Sequence, residues 1–366
     1  MIELITILFC ILSAIYFFIL FLVAFGLSRL KYSSQDISED ISVVIAARNE
    51  ENRIRPTLES LEALEYPQEN YEIIFVDDAS TDHTADIIES YTKKNSHWHL
   101  IRLKQKSSVL KGKKSALKEA INKARGSIIF TTDADCRVPS QWLKIMSSYF
   151  GNKTSMVLGH SPIVSKKGLW YKILEFDNLF SAILGAAPAK LGFPLTSVGR
   201  NLAYRKSDYR EIGGFDALKK FRSGDDVHLT ERFRKNSSGK IEYCVHPDTF
   251  VWTMPPSTNR EIFHQQIRKN SKVLNKSIPS VLFSLMVFLI FLTFILLPIF
   301  HPASFSLWLK IILIKQILEF GILTYATLIF RKKKLIPIIP LLQLVYPVYI
   351  IFFSALGILQ IYEWKN

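Results

Sequence analysis

Long apolar runs lie at both ends of the chain, and a segment of mixed composition separates them. Residues 1–27 are almost entirely apolar, residues 28–276 mix apolar and polar positions, and residues 278–362 are again dominated by Leu, Ile, Phe and Val. Apolar runs of about 20 residues are long enough to cross a bilayer as helices. The pattern predicts membrane spans at residues 5–27, 278–300, 307–330 and 335–362.

Positively charged residues lie next to one end of each predicted span. Arg29 and Lys31 follow the first span, Lys272 and Lys276 precede the second, and the R-K-K-K run at 331–334 separates the last two. The positive-inside rule then places the central segment in the cytoplasm, in a multi-pass protein of the cytoplasmic (inner) membrane with both termini outside. A secretory signal is the alternative for the first run. The run is too long for a signal, and no small-residue cleavage site follows it.

The central segment alternates strand-like and helix-like patterns. Apolar, β-branched runs at 41–47, 71–76, 99–103 and 128–130 predict strands, and helical spacing follows them at Leu58, Leu61 and Leu64, at 84–94 and at 115–124. This alternation predicts an α/β fold with a mainly parallel sheet and ligands at its carboxyl edge. We expect a span at 1–27, a cytoplasmic domain at 28–258, an amphipathic interface helix at 259–277 and three spans within 278–362.

Two carboxylates follow the strand predicted at 128–130. Asp133 and Asp135 are two residues apart, so in an extended chain they point the same way beyond the end of that strand. Like charges this close favour a divalent cation, and Mg²⁺ or Mn²⁺ prefers carboxylate oxygens. A polar turn that caps the next helix is the alternative explanation.

Charge and short motifs exclude several classes of function. The formal net charge is +14, but the excess lies beside the predicted spans and at 104–118 without interleaved aromatic residues, which indicates anionic lipid and phosphates as partners rather than nucleic acid. No G-x-G-x-x-G follows the first strand and no G-x-x-x-x-G-K-[ST] occurs, which argues against dinucleotide oxidoreductases and P-loop ATPases. The three cysteines lack the spacing of a metal finger or disulfide framework.

An ordered set of motifs resembles the family-2 inverting glycosyltransferases of the GT-A fold. The set covers residues 41–268 and comprises V-V-I-A-A-R-N-E-E, Y-E-I-I-F-V-D-D-A-S-T-D-H-T, K-G-K-K-S-A-L, T-T-D-A-D, G-R-N-L-A-Y-R, G-G-F-D, G-D-D-V-H-L-T-E-R and Q-Q-I-R. The resemblance is to a group that includes polysaccharide synthases and ceramide glucosyltransferase-like enzymes. It implies a nucleotide-sugar donor, either a UDP-sugar or a GDP-sugar.

The resemblance also implies roles for individual residues. It places a Mg²⁺ or Mn²⁺ ion on Asp135 and makes Asp226, in the G-D-D motif, the base that deprotonates the acceptor. It implies acceptor contacts from Asn201, Asp225 and Gln265. The residues that it assigns to the donor nucleotide and sugar are Ala46, Arg48, Glu50, Asp77, Asp78, Lys113, Asp133 and Arg268.

One departure from the family pattern bears on the product. The family motif Q-x-x-R-W is present as Gln265 to Arg268, but Lys269 stands in place of the tryptophan. The resemblance implies that in the processive synthases this tryptophan forms a platform for the acceptor sugar. We therefore expect a single transfer to a lipid or lipid-linked glycan acceptor at the membrane; a processive polysaccharide synthase and a catalytically silent membrane scaffold are the alternatives.

Overall fold

A computed structural model of the chain describes residues 2–33, 35, 39–105, 110, 112–221, 224–271 and 278–359. Its contacts divide the chain into two compact units. The helical unit comprises Met1–Ser28, Lys166–Leu179 and Pro255–Asn366, and the sheet unit comprises Arg29–Ser165 and Phe180–Met254. The segment Lys166–Leu179, which lies inside the predicted cytoplasmic domain, thus groups with the helices.

The described strands and helices alternate through the sheet unit, as the hydrophobic pattern predicts. The strands are β1 (Ile41–Ala47), β2 (Tyr71–Asp77), β3 (Trp98–Arg102), β4 (Ile128–Asp133), β5 (Cys136–Arg137), β6 (Thr154–Gly159), β7 (Leu202–Arg205), β8 (Lys240–Cys244) and β9 (Trp252–Thr253). The described α-helices, in both units, are α1 (Ile2–Ser28), α2 (Arg55–Glu62), α3 (Thr84–Thr92), α4 (Lys114–Lys123), α5 (Trp142–Ser147), α6 (Leu169–Lys190), α7 (Lys206–Glu211), α8 (Asp225–Asn236), α9 (Asn259–Ser271), α10 (Ile278–Phe300), α11 (Phe305–Ile329) and α12 (Ile339–Ile358).

Seven of the described strands form one sheet in the order β3-β2-β1-β4-β7-β6-β8. All of its neighbouring pairs are parallel except those that β7 makes with β4 and β6. The first strands are apolar along nearly their whole length because both faces are covered, and side chains such as Val43, Phe75 and Phe130 have no exposed surface. This confirms the mainly parallel α/β fold.

The register brings the polar ends of three strands to one edge. Ala46 of β1 lies opposite Val76 of β2 and Asp133 of β4, and Ala47 lies opposite Asp77. The carboxyl ends of parallel strands meet at the edge where α/β proteins bind ligands. The sheet therefore collects the carboxylates that follow β2 and β4 on one side.

The helical unit contains three described helical segments that are long and apolar enough to cross a membrane: Thr6–Ser28, Pro302–Ile329 and Lys333–Ile358. A further predicted span corresponds to α10, which is helical over Ile278–Phe300 and has a described apolar stretch at Leu285–Ile299. Residues 360–362 of the last predicted span lie outside the described residues. The apolar helices support an association with membrane.

Two charged residues of α11 face neighbouring helices, as their position in an apolar run requires. The Lys315 ammonium lies 2.8 Å from the Glu319 carboxylate, and Glu319 also accepts a hydrogen bond of 3.1 Å from Gln343 of α12. Tyr16 of α1 donates a hydrogen bond to the same carboxylate. Polar groups within an apolar bundle are stable when they satisfy one another in this way.

Candidate active site at the carboxyl edge of the sheet

The loops after β1 and β2 are tied together at this edge. Asn49 adopts a left-handed conformation with φ of 52°, which Asn tolerates better than most residues. Its Oδ1 accepts a 2.9 Å hydrogen bond from the Thr81 N–H, and its own N–H donates to Ser80 Oγ at 3.1 Å. These bonds fix the two segments relative to each other. The polar residues Arg48, Glu50, Asp77 and Asp78 lie in these segments and form a polar surface.

The polar groups of this surface are incompletely satisfied by protein. The Nη1 of Arg48 is buried and has no hydrogen-bond partner among the described residues. The Oδ1 of Asp77 is also buried and also lacks a hydrogen-bond partner among them. Burial raises the pKa of Asp78, with Asp77 adding to the rise and Arg48 opposing it. Unpaired buried donors and acceptors are costly, so a polar ligand that pairs with them would bind favourably here.

Glu50 connects this surface to the carboxylates after β4. Burial raises its pKa from 4.5 to about 7; Arg53 opposes the rise, and Asp135, Asp133 and Asp82 add to it. The Arg53 guanidinium lies 2.8 Å from Glu50 and 3.9 Å from Asp135. Arg53 was not predicted as a site residue, because its distance from both carboxylates depends on the turn that precedes α2.

Asp133, Asp135 and Cys136 form a group whose potential ligand atoms all lie within 4.8 Å of one another. The two carboxylates supply the oxygen ligands that Mg²⁺ and Mn²⁺ prefer. Burial raises the pKa of the Cys136 thiol, with both aspartates adding to the rise, so this side chain stays a neutral thiol. These potential metal ligands thus fit a divalent ion that is bound through the two carboxylates, with Cys136 as a packing residue.

The Lys113 ammonium lies among carboxylates of the predicted site. It makes an ion pair with Asp133. Burial disfavours its charge, but Asp133 foremost, with Asp226 and Asp225, raises the pKa of Lys113. The structure gives Lys113 carboxylate neighbours between the end of β4 and the start of α8, and its binding to donor phosphate stays a prediction.

Asp226 lies in the first turn of α8 and is held by backbone groups. Its Oδ2 accepts a 2.9 Å hydrogen bond from the Gly199 N–H, and its Oδ1 accepts one of 2.9 Å from the Val227 N–H. A Cβ on Gly199 would lie 3.3 Å from Asp226 Cβ. The Gly199 carbonyl accepts a 2.8 Å bond from Thr131 of β4, which ties this segment to the strand that carries Asp133.

The preceding carboxylate, Asp225, has a different environment. It pairs at 3.0 Å with Lys114, whose side chain has no exposed surface. Burial raises the pKa of Asp225, and Lys114 opposes that rise. The pairing supports a structural role at the start of α8, since α4 and α8 are joined through it.

Asn201, which was predicted to contact the acceptor, lies in the interior with 0% exposure. Its Oδ1 accepts from Trp142 Nε1 at 2.9 Å, and its Nδ2 donates to the carbonyls of His160 and Thr249 at 2.7 and 2.8 Å. With its amide satisfied by protein and no exposed surface, Asn201 is placed to hold the fold beneath the site rather than to touch an acceptor.

The remaining predicted residues, Gln265 and Arg268, belong to the helical unit. Both lie on α9 with exposed side chains, one turn apart. The lysine that replaces the family tryptophan, Lys269, makes an ion pair with Asp177 of α6. Val273 and Leu274, predicted to continue this helix, lie outside the described residues.

The mainly parallel sheet and the carboxylates at the end of its fourth strand agree with a GT-A fold. Residues 42–213 match the model of the glycosyl transferase family 2. The chain therefore contains a family 2 glycosyltransferase domain, as its motifs indicated.

Known proteins similar to this chain include two curated relatives and one solved structure. A poly-beta-1,6-N-acetyl-D-glucosamine synthase of Staphylococcus epidermidis is 27% identical over 70% of this chain and 60% of its own length. A beta-monoglucosyldiacylglycerol synthase of Synechocystis is 32% identical over 31% of this chain and 23% of its own. The chain spans less than two thirds of the length of the curated relatives that it matches.

The solved structure is that of the mannosyltransferase PcManGT from Pyrobaculum calidifontis, in complex with GDP-Man and Mn²⁺. Its TM-score is 0.58, with 18% identity over 98% of this chain and 95% of that one. At this identity the likeness concerns the fold alone, and it agrees with the GT-A architecture.

Proposed function

We propose that this protein is a membrane-bound inverting glycosyltransferase that moves a sugar from a UDP- or GDP-sugar to a lipid or lipid-linked acceptor. The observation that carries the proposal is the cluster of Asp133, Lys113 and Asp226 at the carboxyl edge of the sheet, where the ammonium forms an ion pair with Asp133 and the charge of Asp226 adds to its stabilisation. A donor and an acceptor can meet over such a cluster, with an acid-base group on one side and the diphosphate site on the other.

The donor nucleotide is assigned to the surface between the loops after β1 and β2. Asp78 would accept hydrogen bonds from N–H groups of the base, supported by Asp77, while Ala46 leaves room at the strand end. The unpaired Nη1 of Arg48 would donate to the donor, and Glu50 would border the ribose. In this assignment, Asp133 faces the donor sugar.

A divalent ion, Mg²⁺ or Mn²⁺, is assigned to Asp135. Asp133 already holds Lys113, so Asp135 is the carboxylate of the pair with more capacity for an ion. When bound, the ion would neutralise the charge that develops on the leaving nucleoside diphosphate. The Mn²⁺ in the mannosyltransferase structure supports this choice of ion class.

Asp226 is assigned as the general base. In a direct displacement, the acceptor oxygen bonds to the anomeric carbon while the bond from that carbon to the diphosphate oxygen breaks. Asp226 takes the proton of the acceptor hydroxyl, and the diphosphate leaves with the electron pair. Because the acceptor oxygen attacks from the side opposite the diphosphate, the configuration at the anomeric carbon inverts. The N–H groups of Gly199 and Val227 orient the carboxylate for this transfer.

The membrane setting supports a lipid acceptor. The predicted positive flanks put the sheet domain in the cytoplasm and the apolar helices in the cytoplasmic membrane. Gln265 would face the acceptor from α9, and Arg268 would bind the donor diphosphate. The glycolipid synthase similar to this chain is named for a diacylglycerol product, which supports the same acceptor class.

A donor screen tests the proposal. The full chain, purified in lipid nanodiscs with Mn²⁺, is incubated with UDP- and GDP-sugars and membrane lipid extract, and products are analysed by mass spectrometry. We expect one sugar added to a lipid; inertness with every donor would favour a silent scaffold. The similarity to a poly-N-acetylglucosamine synthase favours a second candidate, a processive synthase, which would give a ladder of long glycans.

The metal assignment has its own test. Asp135→Ala should weaken Mn²⁺-dependent binding of UDP or GDP at least tenfold, as measured by calorimetry, because it removes the main ligand of the ion. Asp208→Ala, on α7, is the control. Equal nucleotide binding by Asp135→Ala and the unmodified protein would remove Asp135 from the metal site.

A further inference from the structure

Arg200 is a half-buried arginine at the carboxyl edge of the sheet. It comes shortly before β7, whose first residue, Leu202, pairs with Thr131 of β4. Because the two strands are antiparallel, the residues that precede Leu202 lie towards the end of β4, where Asp133 is. The 2.8 Å hydrogen bond from Thr131 to the Gly199 carbonyl holds the chain there. Arg200 thus belongs to the same edge as the carboxylates.

A buried hydroxyl fixes the guanidinium of Arg200. Its Nε donates a 2.5 Å hydrogen bond to Oγ of Ser161, a residue after β6 that is 1% exposed. The same Oγ donates to the Val251 carbonyl at 2.5 Å, directly before β9. Because β9 pairs with β5, these contacts place the guanidinium near the strand that begins at Cys136.

The terminal nitrogens of Arg200 are available to a ligand. The bond to Ser161 engages only Nε, and Arg200 makes no ion pair with any residue that the structure describes. Its charge acts on the neighbouring strand: burial raises the pKa of the Cys136 thiol, and Arg200 opposes that rise. A guanidinium presents its donors as a planar fork that matches the oxygen atoms of a phosphate group. Arg200 therefore offers a binding group for an anion.

The sheet order separates Arg200 from the surface assigned to the nucleotide. That surface follows β1 and β2, and Asp135 follows β4. Strands β7 and β6, next to which Arg200 and Ser161 lie, continue the sheet on the other side of β4. The assigned base lies near Arg200, because the Gly199 N–H donates a 2.9 Å hydrogen bond to Asp226. A donor that extends from the nucleotide surface to Asp135 would thus leave the space beside Arg200 to the acceptor.

We propose that Arg200 binds a phosphate group carried by the acceptor and so selects acceptors that bear one. The inference rests on the proposed function, which places the donor diphosphate at Asp135 and makes Asp226 the base. An acceptor whose reactive hydroxyl reaches Asp226 would set its phosphate against the guanidinium. The bond to Ser161 holds that guanidinium in place before the acceptor arrives.

The donor diphosphate carries the same chemistry, and binding constants distinguish the two sources. A guanidinium that binds the donor contributes to nucleotide affinity, whereas one that binds the acceptor contributes to the KM for the acceptor. A charge that only offsets the carboxylates of the site would contribute to neither and would change the stability of the domain.

Product analysis and substitution of Arg200 test the inference on the full chain in mixed micelles. The donor found in the screen, Mn²⁺ and membrane lipid extract are supplied, and mass spectrometry should find phosphate in the lipid that receives the sugar. Arg200→Gln should raise the KM for the extract at least tenfold, while affinity for UDP or GDP with Mn²⁺ stays within twofold. Arg200→Lys keeps the charge without the fork and should raise the KM two- to fivefold. Arg137→Gln, which removes an exposed charge from β5, should change neither quantity.

The outcomes separate this inference from the proposed function. A product lipid without phosphate, such as a glycosyl diacylglycerol, would overturn the inference while the transfer reaction stands, and this result does not depend on the folding of any variant. A KM within twofold of the unmodified protein for Arg200→Gln would overturn it too. Tenfold weaker nucleotide binding by Arg200→Gln would assign the arginine to the donor instead. A lower melting temperature with unchanged binding constants would make Arg200 merely structural. If the unmodified protein transfers no sugar from any donor, the proposed function fails and the inference with it.

Discussion

Glu50 offers a test of the site's electrostatics through the pH dependence of stability. Burial raises its pKa from 4.5 to about 7, so the unfolded chain loses this proton at a lower pH than the folded one. Between these values the folded state binds more protons, and stability falls as pH rises through the window. Above about pH 7, the full cost of an ionised Glu50 is present in the folded state.

The magnitude follows from the size of the pKa change. At about 1.4 kcal/mol per pH unit, a rise from 4.5 to about 7 corresponds to an upper bound of about 3 kcal/mol. The Glu50 side chain is 20% exposed and solvent screens part of its charge, so we expect about 2 kcal/mol at pH 8. For a domain of this size, removing a cost of about 2 kcal/mol by preventing ionisation at position 50 would raise the melting temperature by about 4–8 °C.

The perturbation is Glu50→Gln, which keeps the shape of the side chain and cannot ionise. We expect the variant to melt higher than the unmodified protein at pH 8 and within about 2 °C of it at pH 5, in thermal unfolding of the full chain in nanodiscs without metal. Glu59→Gln, at an exposed residue of α2, is the matched control. A variant that melts lower than the unmodified protein at pH 8 would refute the reasoning, because the pair with Arg53 would then outweigh burial.

Three further substitutions test the architecture of the site. Gly199→Ala places a Cβ 3.3 Å from Asp226 Cβ and should reduce kcat about tenfold with little change in nucleotide affinity, as a steady-state assay would measure. Asn201→Ala should lower stability by about 3 kcal/mol in thermal unfolding, since it leaves buried groups unpaired, and an unchanged melting temperature would contradict its structural role. Lys114→Met isolates the buried Asp225 carboxylate and should lower stability by about 3–5 kcal/mol, whereas a neutral result would show that the pair adds nothing.

The parallel strands were predictable because burial on both faces gives them continuous apolar sequences. Ile41–Ala47 and Tyr71–Asp77 are bounded by polar loops, and their order follows from short right-handed connections. The four-residue strand β7 was recognised only as part of a motif. Its insertion between β4 and β6, antiparallel to both, depends on pairings between residues distant in sequence, which no local pattern encodes.

For the site residues too, local spacing was predictable from sequence, whereas contacts made by tertiary packing were not. The proximity of Asp133 to Asp135 follows from their spacing, but the ion pair of Lys113 with Asp133 depends on how α4 packs. Asn201 lies in a recognisable motif, yet its burial against Trp142 is a property of tertiary packing. Sequence therefore predicted which segments meet at the carboxyl edge of the sheet more reliably than it predicted the partner of each side chain.

The substitution Asp226→Asn tests most directly whether Asp226 is the base of a sugar transfer. General-base catalysis contributes about 10²–10⁴ in rate, so turnover with the donor found in the screen should fall by about 10³, while nucleotide affinity in the presence of Mn²⁺ stays within twofold. The measurement pairs single-turnover kinetics with calorimetry on the same preparation. Turnover within tenfold of the unmodified protein would show that Asp226 is not the base.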